Sequence, residues 1–183
     1  TYRFNLAAEF CETCCLLQLS EQPKPELMFH DHYTFFTGLS SFMANHFKEM
    51  ALSNLPASYS QDFMVSEIGC NDGVMLKPFS DLGVIPIGVD PATNVVDTID
   101  IDNAVIYNDY FTEKLSQDIL NKHGKVDLVV SNFSFAHIDD MQDVIKGINT
   151  ILNKDGVFVF EIYYLVNLIE EMNYDMIYHE HMS

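Results

Sequence analysis

Between positions 63 and 161 the chain alternates short apolar runs with stretches in which apolar residues recur every three or four positions. The runs at 63–68, 85–89, 104–107, 126–131 and 157–161 read as strands, each nearly continuous in Val, Ile, Leu or Phe. Segments 74–82, 112–122 and 141–152 carry helical periodicity and fall between strands. Strands that are apolar throughout need cover on both faces, so this order predicts a parallel, doubly wound α/β sheet of Rossmann-like type with helices on both sides. A further amphipathic helix is expected over 40–52, where Phe42, Met43, Phe47 and Met50 share one face and His46 falls with them. Asn54, Pro56, Ser58, Ser60 and Gln61 then read as a linker. The pattern divides the chain into 1–38, 39–61 (helix and linker) and the sheet domain 62–183.

Charge narrows the function. Nine Lys and Arg stand against 27 Asp and Glu, for a formal net charge of -18. Nucleic-acid binding needs clustered cations and is excluded as an expectation, and anionic membranes are disfavoured for the same reason. No stretch approaches the roughly 20 apolar residues of a membrane span, and no basic-then-apolar leader opens the chain. A cytoplasmic protein is expected; its oligomeric state is not legible. Three of the four cysteines crowd at Cys11, Cys14 and Cys15, unlike a secreted disulfide framework. A redox C-x-x-C is a weaker reading, because the pair does not lie between a strand and a helix. The chain begins without Met and stops directly after an aromatic, charged cluster, the expectation for a fragment of a longer protein.

The strand ends carry the candidate chemistry. Glu67-Ile68-Gly69-Cys70-Asn71-Asp72-Gly73 leads a strand into a helix through a turn with two glycines. It has neither the three-glycine dinucleotide fingerprint nor the Gly-Lys-Ser/Thr of a P-loop. Gly69 permits a sharp turn, and Gly73 permits close approach at the helix start. An acidic residue before this loop suits a ligand with an amino group and a ribose rather than a pyrophosphate. Asp90, closing the second strand, stands about 20 residues on, where an acidic side chain accepts ribose hydroxyls. Asp109 is expected to meet an adenine amino group, with Tyr110 or Phe111 against the ring. The alternative for Gly69, Gly73 and Asp90 is an ordinary turn and a helix cap.

Three ordered strings, Glu67-Ile68-Gly69-Cys70-Asn71-Asp72-Gly73, Ala136-His137-Ile138 and Tyr178-His179-Glu180-His181, resemble the sugar C-methyltransferases of deoxysugar pathways, over positions 2–183. The resemblance implies a class I methyltransferase sheet that binds S-adenosylmethionine through Glu67, Gly69, Asn71, Gly73, Asp90, Asp109, Tyr110 and Asn132. It also implies a nucleotide-linked 4-keto-deoxysugar substrate, methylated through an enolate. The family's N-terminal module holds zinc with two C-x-x-C pairs; Cys11 and Cys14 match the second, the first is missing, and two thiolates cannot close a tetrahedral site. Zinc is therefore expected on Cys11 and Cys14 only in a complete protein, and Cys15 is expected to be a buried apolar residue.

Removing a proton beside a carbonyl requires a base near neutral pKa and a donor for the developing oxyanion. By resemblance His181 is the base, Glu180 its partner or an alternative base, Tyr178 a substrate hydrogen-bonding group and His137 an enolate stabiliser. His46 is expected to face the core, and His30, His32 and His123 the surface. Where the family has Tyr-x-Tyr-x-Ser, this chain has Tyr33-Thr34-Phe35-Phe36-Thr37, so Phe35 lacks a hydroxyl. The alternatives are a small-molecule O- or N-methyltransferase, or a fragment that binds cofactor without turnover.

Overall fold

A computed structural model describes residues 3–178 and 181. Its main sheet has five parallel strands in the order β5-β4-β3-β6-β7, formed by β3 (Met64–Ile68), β4 (Ile85–Val89), β5 (Val105–Tyr107), β6 (Val126–Asn132) and β7 (Leu152–Glu161). Chain order moves outward from β3 to β5 and then returns to β6 beside β3. The order therefore reverses between β3 and β6, the place at which open parallel sheets form a ligand crevice beyond their carboxyl ends. Ahead of the sheet, β1 (Ala8–Phe10) and β2 (Leu17–Leu19) make a small antiparallel hairpin.

Period-two alternation distributes the strand side chains between two cores. Ile68, Ile87, Val89 and Val129 pack with Leu115 and Ile119 of α4 (Glu113–His123) and Val144, Ile148 and Ile151 of α5 (Met141–Ile151). Val65, Leu128 and Val130 pack on the other face with Phe47 and Ala51 of α1 (Ser41–Asn54) and Phe79 of α2 (Leu76–Asp81). Helices thus cover both faces, as the continuous apolar strands require. Capping fixes the helix starts: Ser40, Thr112 and Asp140 each accept a backbone N–H three residues on, from Met43, Leu115 and Asp143. Gly124, at φ 90°, ends α4. Two short helices complete the set, α3 (Thr93–Val96) and α6 (Leu165–Glu170). Among the described residues no helix is long and apolar enough to cross a membrane.

The expected strands and long helices form, with three corrections. β7 begins at Leu152 rather than 157: its register on β6 passes from Val126↔Leu152 to Leu128↔Val157, so residues 153–156 bulge between the two pairings. Phe42 is 77% exposed, so the buried stripe of α1 is narrower than its apolar sequence. His46 does not face the core; its Nε2 lies 2.8 Å from Glu161 at the end of β7, and both side chains remain partly exposed.

Candidate active site

The cofactor loop combines three left-handed residues, Gly69 (φ 77°), Asn71 (φ 48°) and Gly73 (φ 77°). At Gly69 a Cβ would stand 2.0 Å from Ser134 Oγ, so the turn between β3 and the segment after β6 closes only on a glycine. At Gly73 the missing Cβ leaves room for Ile99 and Ile101. Asn71 also departs from expectation. Its Oδ1 accepts the Thr37 N–H at 2.9 Å and its Nδ2 donates to the Phe35 carbonyl at 3.1 Å. Asp72 adds a bond from the Gly38 N–H at 2.8 Å. The loop therefore spends these polar side chains on holding segment 35–38 over the sheet edge.

Beyond the strand ends opens a cleft of about 700 Å³, lined among others by Glu67, Gly69, Asn71, Asp90, Tyr110, Asn132, His137, Tyr178 and His181. Glu67 is 3% exposed, and its Oε2 lacks a hydrogen-bond partner among the described residues. Burial, and then the charges of Asp90 and Asp72, push its carboxyl well above the usual range. Asn132 is 8% exposed with Oδ1 likewise unpartnered. Asp90 accepts the Asn71 N–H on Oδ2 and the Ala92 N–H on Oδ1, both at 2.9 Å. Burial raises its pKa, with the Ala92 and Asn71 bonds opposing. A carboxylate has about four lone-pair directions, so both oxygens retain capacity for hydroxyl donors. A buried acid with an open oxygen, a second acid with two open lone pairs and an open amide oxygen fit the ammonium and ribose of S-adenosylmethionine. Cys70, also buried here, has its thiol pushed up by burial and by Glu67 and Asp90, so it stays neutral.

Asp109 and Tyr110, both expected near the adenine, stand differently in the structure. Asp109 is exposed, accepts the N–H of its neighbour Tyr110 at 2.8 Å and is not among the cleft walls. Tyr110 does line the cleft, but its hydroxyl donates to the Phe29 carbonyl at 3.2 Å. Its pKa is raised by burial and then by Glu26, Asp90 and Asp109.

The structure brings three of the four expected catalytic residues together. The rings of His137 and His181 lie 5.0 Å apart, and Tyr178 Oη is 2.9 Å from His181 Nε2. His181 Nδ1 is 2.8 Å from the Met176 carbonyl. A carbonyl only accepts, so Nδ1 carries the hydrogen, and Nε2 presents the lone pair to the Tyr178 hydroxyl. Glu180 lies outside the described residues, as does His179.

Two further residues line the cleft: Phe35, which the sequence marks for its missing hydroxyl, and Tyr163, which the sequence reading missed. Phe35, separated there from the strand-end residues, lines the cleft at 57% exposure because Asn71 holds its carbonyl. Tyr163 lines it two residues after β7 ends, with its ring 5.0 Å from His181; the strand-end rule could have found it. Cys11 and Cys14 stand apart, in the turn of the β1–β2 hairpin. Hydrogen bonds from the Cys14 and then the Thr13 backbone lower the Cys11 thiol pKa. No cluster of three or more His, Cys, Asp or Glu that could hold a metal occurs among the described residues. Two thiolates do not close a zinc site. Cys15 is exposed rather than buried, at φ 61°.

A family model described as a methyltransferase domain matches residues 41–183. The chain belongs to the methyltransferase domain family. The five-stranded order and the cofactor loop are accordingly those of a class I, S-adenosylmethionine-dependent methyltransferase domain. Over 181 residues it is 30% identical to the C-methyltransferase NovU of Streptomyces niveus, which covers 98% of this chain and 43% of that protein; the chain thus spans less than half its relative's length. Among solved structures, a chain of the complex between the Haloferax volcanii Trm112 methyltransferase activator and a methyltransferase aligns at TM-score 0.59, 21% identity, over 80% of this chain and 66% of that one. The glycopeptide N-methyltransferase MtfA with S-adenosylmethionine aligns at 0.51, 20% identity, over 64% and 53%. Both likenesses concern the fold.

Proposed function

We propose that this domain methylates carbon, at the position beside the keto group of a nucleotide-linked 4-keto-deoxysugar, through an enolate. The observation that carries the reading is the placement of His181, Tyr178 and His137 in the same cleft as Glu67 and Asp90. An O- or N-methyltransferase needs to handle only an acidic hydroxyl or ammonium proton, whereas a carbon acid needs both a base and oxyanion donors. The C-methyltransferase relative supports carbon as the accepting atom.

Bound S-adenosylmethionine supplies an electrophilic methyl group. Glu67 would hold its ammonium, Asp90 its ribose hydroxyls and Asn132 a further donor. On the acceptor side, the Met176 carbonyl holds His181 in the tautomer whose Nε2 is basic, and it stabilises the imidazolium formed when that nitrogen takes the proton. Nε2 is occupied by the Tyr178 hydroxyl, so catalysis requires that hydroxyl to turn toward the substrate, where it donates a hydrogen bond. His137, beside His181, shares the charge developing on oxygen.

The test is incubation with S-adenosylmethionine and a panel of thymidine-diphosphate 4-ketosugars, followed by NMR location of the new methyl group. Methylation on carbon, with solvent-deuterium exchange at that carbon lost in His181→Ala, is expected. Transfer only to oxygen or nitrogen overturns the proposal, and cofactor binding without transfer returns the domain to a binding role.

A further inference from the structure

Tyr163 has no role in the scheme above, yet its ring sits in the wall of the reactive cleft. It packs between Phe133, at 5.2 Å, and His181, at 5.0 Å. His181 in turn contacts His137 and Tyr178, so five ring side chains form one continuous wall. Two other phenols of the cleft are engaged, Tyr178 with His181 Nε2 and Tyr110 with the Phe29 carbonyl. The Tyr163 hydroxyl has no hydrogen-bond partner among the described residues. On the segment held by Asn71, Phe35 offers the cleft an aromatic ring without a hydroxyl.

We infer that Tyr163 is a catalytic residue whose hydroxyl donates to the acceptor's carbonyl oxygen as that oxygen becomes an oxyanion. This rests on the enolate reading above. His181 Nε2 takes the hydrogen as a proton; the C–H pair becomes the carbon–carbon double bond, and the carbonyl π pair moves onto oxygen. Tyr163 meets that oxygen with a neutral O–H. When the enolate carbon bonds the methyl group, the sulfonium C–S pair stays on sulfur and the carbonyl re-forms. Burial and the Glu161 charge raise the phenol's pKa, so the donor keeps its proton at working pH. The Phe133 and His181 rings fix its direction, and a donor fixed in advance is the kind that lowers a barrier.

The experiment compares wild type with Tyr163→Phe, which keeps the ring and its packing, and with Tyr164→Phe, whose ring is 65% exposed and outside the cleft walls. Two rates are read on a thymidine-diphosphate 4-keto-6-deoxyhexose: methyl transfer, and deuterium exchange at the carbon beside the keto group with S-adenosylhomocysteine in place of the methyl donor. Tyr163→Phe should lower kcat for both by about 100-fold, the scale of one oxyanion donor. KM, S-adenosylhomocysteine affinity and thermal unfolding should stay near wild type, as should every property of Tyr164→Phe. Equal rates in wild type and Tyr163→Phe overturn the inference alone, as does a loss confined to KM or to cofactor affinity. A wild-type domain that methylates oxygen or nitrogen and exchanges no deuterium overturns the enolate reading, and this inference with it.

Discussion

Replacing Asp90 with Asn tests the cofactor site while changing almost no volume. Asp90 closes β4 at 8% exposure and accepts one backbone N–H on each carboxylate oxygen, from Asn71 and from Ala92, both at 2.9 Å. An amide has one oxygen. Whichever way it turns, one N–H then faces an NH₂ group, and one ribose hydroxyl loses its acceptor. A hydrogen bond to a charged partner contributes about 1.5–3 kcal/mol, so the affinity for S-adenosylhomocysteine should fall roughly 10- to 150-fold. The orphaned N–H costs the fold about 1–3 kcal/mol, but removal of a carboxylate destabilised by burial offsets part of that. Binding should therefore suffer more than stability. Calorimetric titration beside thermal unfolding reads both quantities. A folded Asn variant that binds within about twofold of wild type would show that Asp90 does not hold the ribose, and its two backbone bonds would then be its whole function.

Glu67→Gln should expose a linkage. The Glu67 carboxyl has a folded pKa above its unfolded value, so its contribution to stability is full below the unfolded pKa and is lost as pH rises through the folded one. Urea denaturation between about pH 4.5 and pH 8 should show wild type losing ground to the Gln variant as pH rises, and parallel curves would contradict the assignment. Gly69→Ala and Gly83→Ala impose the same left-handed strain, at φ 77° and 79°, but only the first meets Ser134 Oγ. Gly83→Ala should cost about 1–2 kcal/mol. Gly69→Ala should cost a further 1–3 kcal/mol or so and weaken cofactor binding, and equal losses in urea melts would count against the packing argument.

Much of this site was legible because its signals are local. The strands read correctly since burial on both faces leaves them continuously apolar, and Glu67 and Asp90 followed from the rule that ligands meet strand carboxyl ends. What escaped depends on contacts far apart in sequence. Asn71 was expected to touch the cofactor, but its side chain bonds the backbone of residues 35 and 37, a pairing no local pattern encodes. His46 shares an apolar stripe in sequence yet pairs with Glu161, 115 residues away. Asp109 follows β5 as the pattern requires, but its carboxylate accepts its neighbour's N–H and lies outside the cleft walls. Gly73 reads as a close approach in sequence, but that Ile99 and Ile101 are the side chains beside it depends on a segment some 26 residues on.

The charge of the cleft constrains what the domain does by itself. Glu26, Glu67, Asp90, Asp139, Asp140 and Asp143 stand in its walls, and among the described residues no Lys or Arg does. Burial first, and then the charges of Asp90 and Asp72, already raise the Glu67 carboxyl. A sulfonium cofactor with an ammonium group relieves the repulsion among these charges. A diphosphate placed among the same carboxylates would increase it, since unlike a neutral sugar ring it brings anionic oxygens that need cationic or N–H donors. If the acceptor is a nucleotide-linked sugar, the sugar ring must therefore enter first, toward Tyr178, His181 and Tyr163, and the diphosphate must stay outside these walls. The cleft then divides recognition by charge, with the cation and the carbonyl held by this domain and the anionic end of the substrate held apart from it.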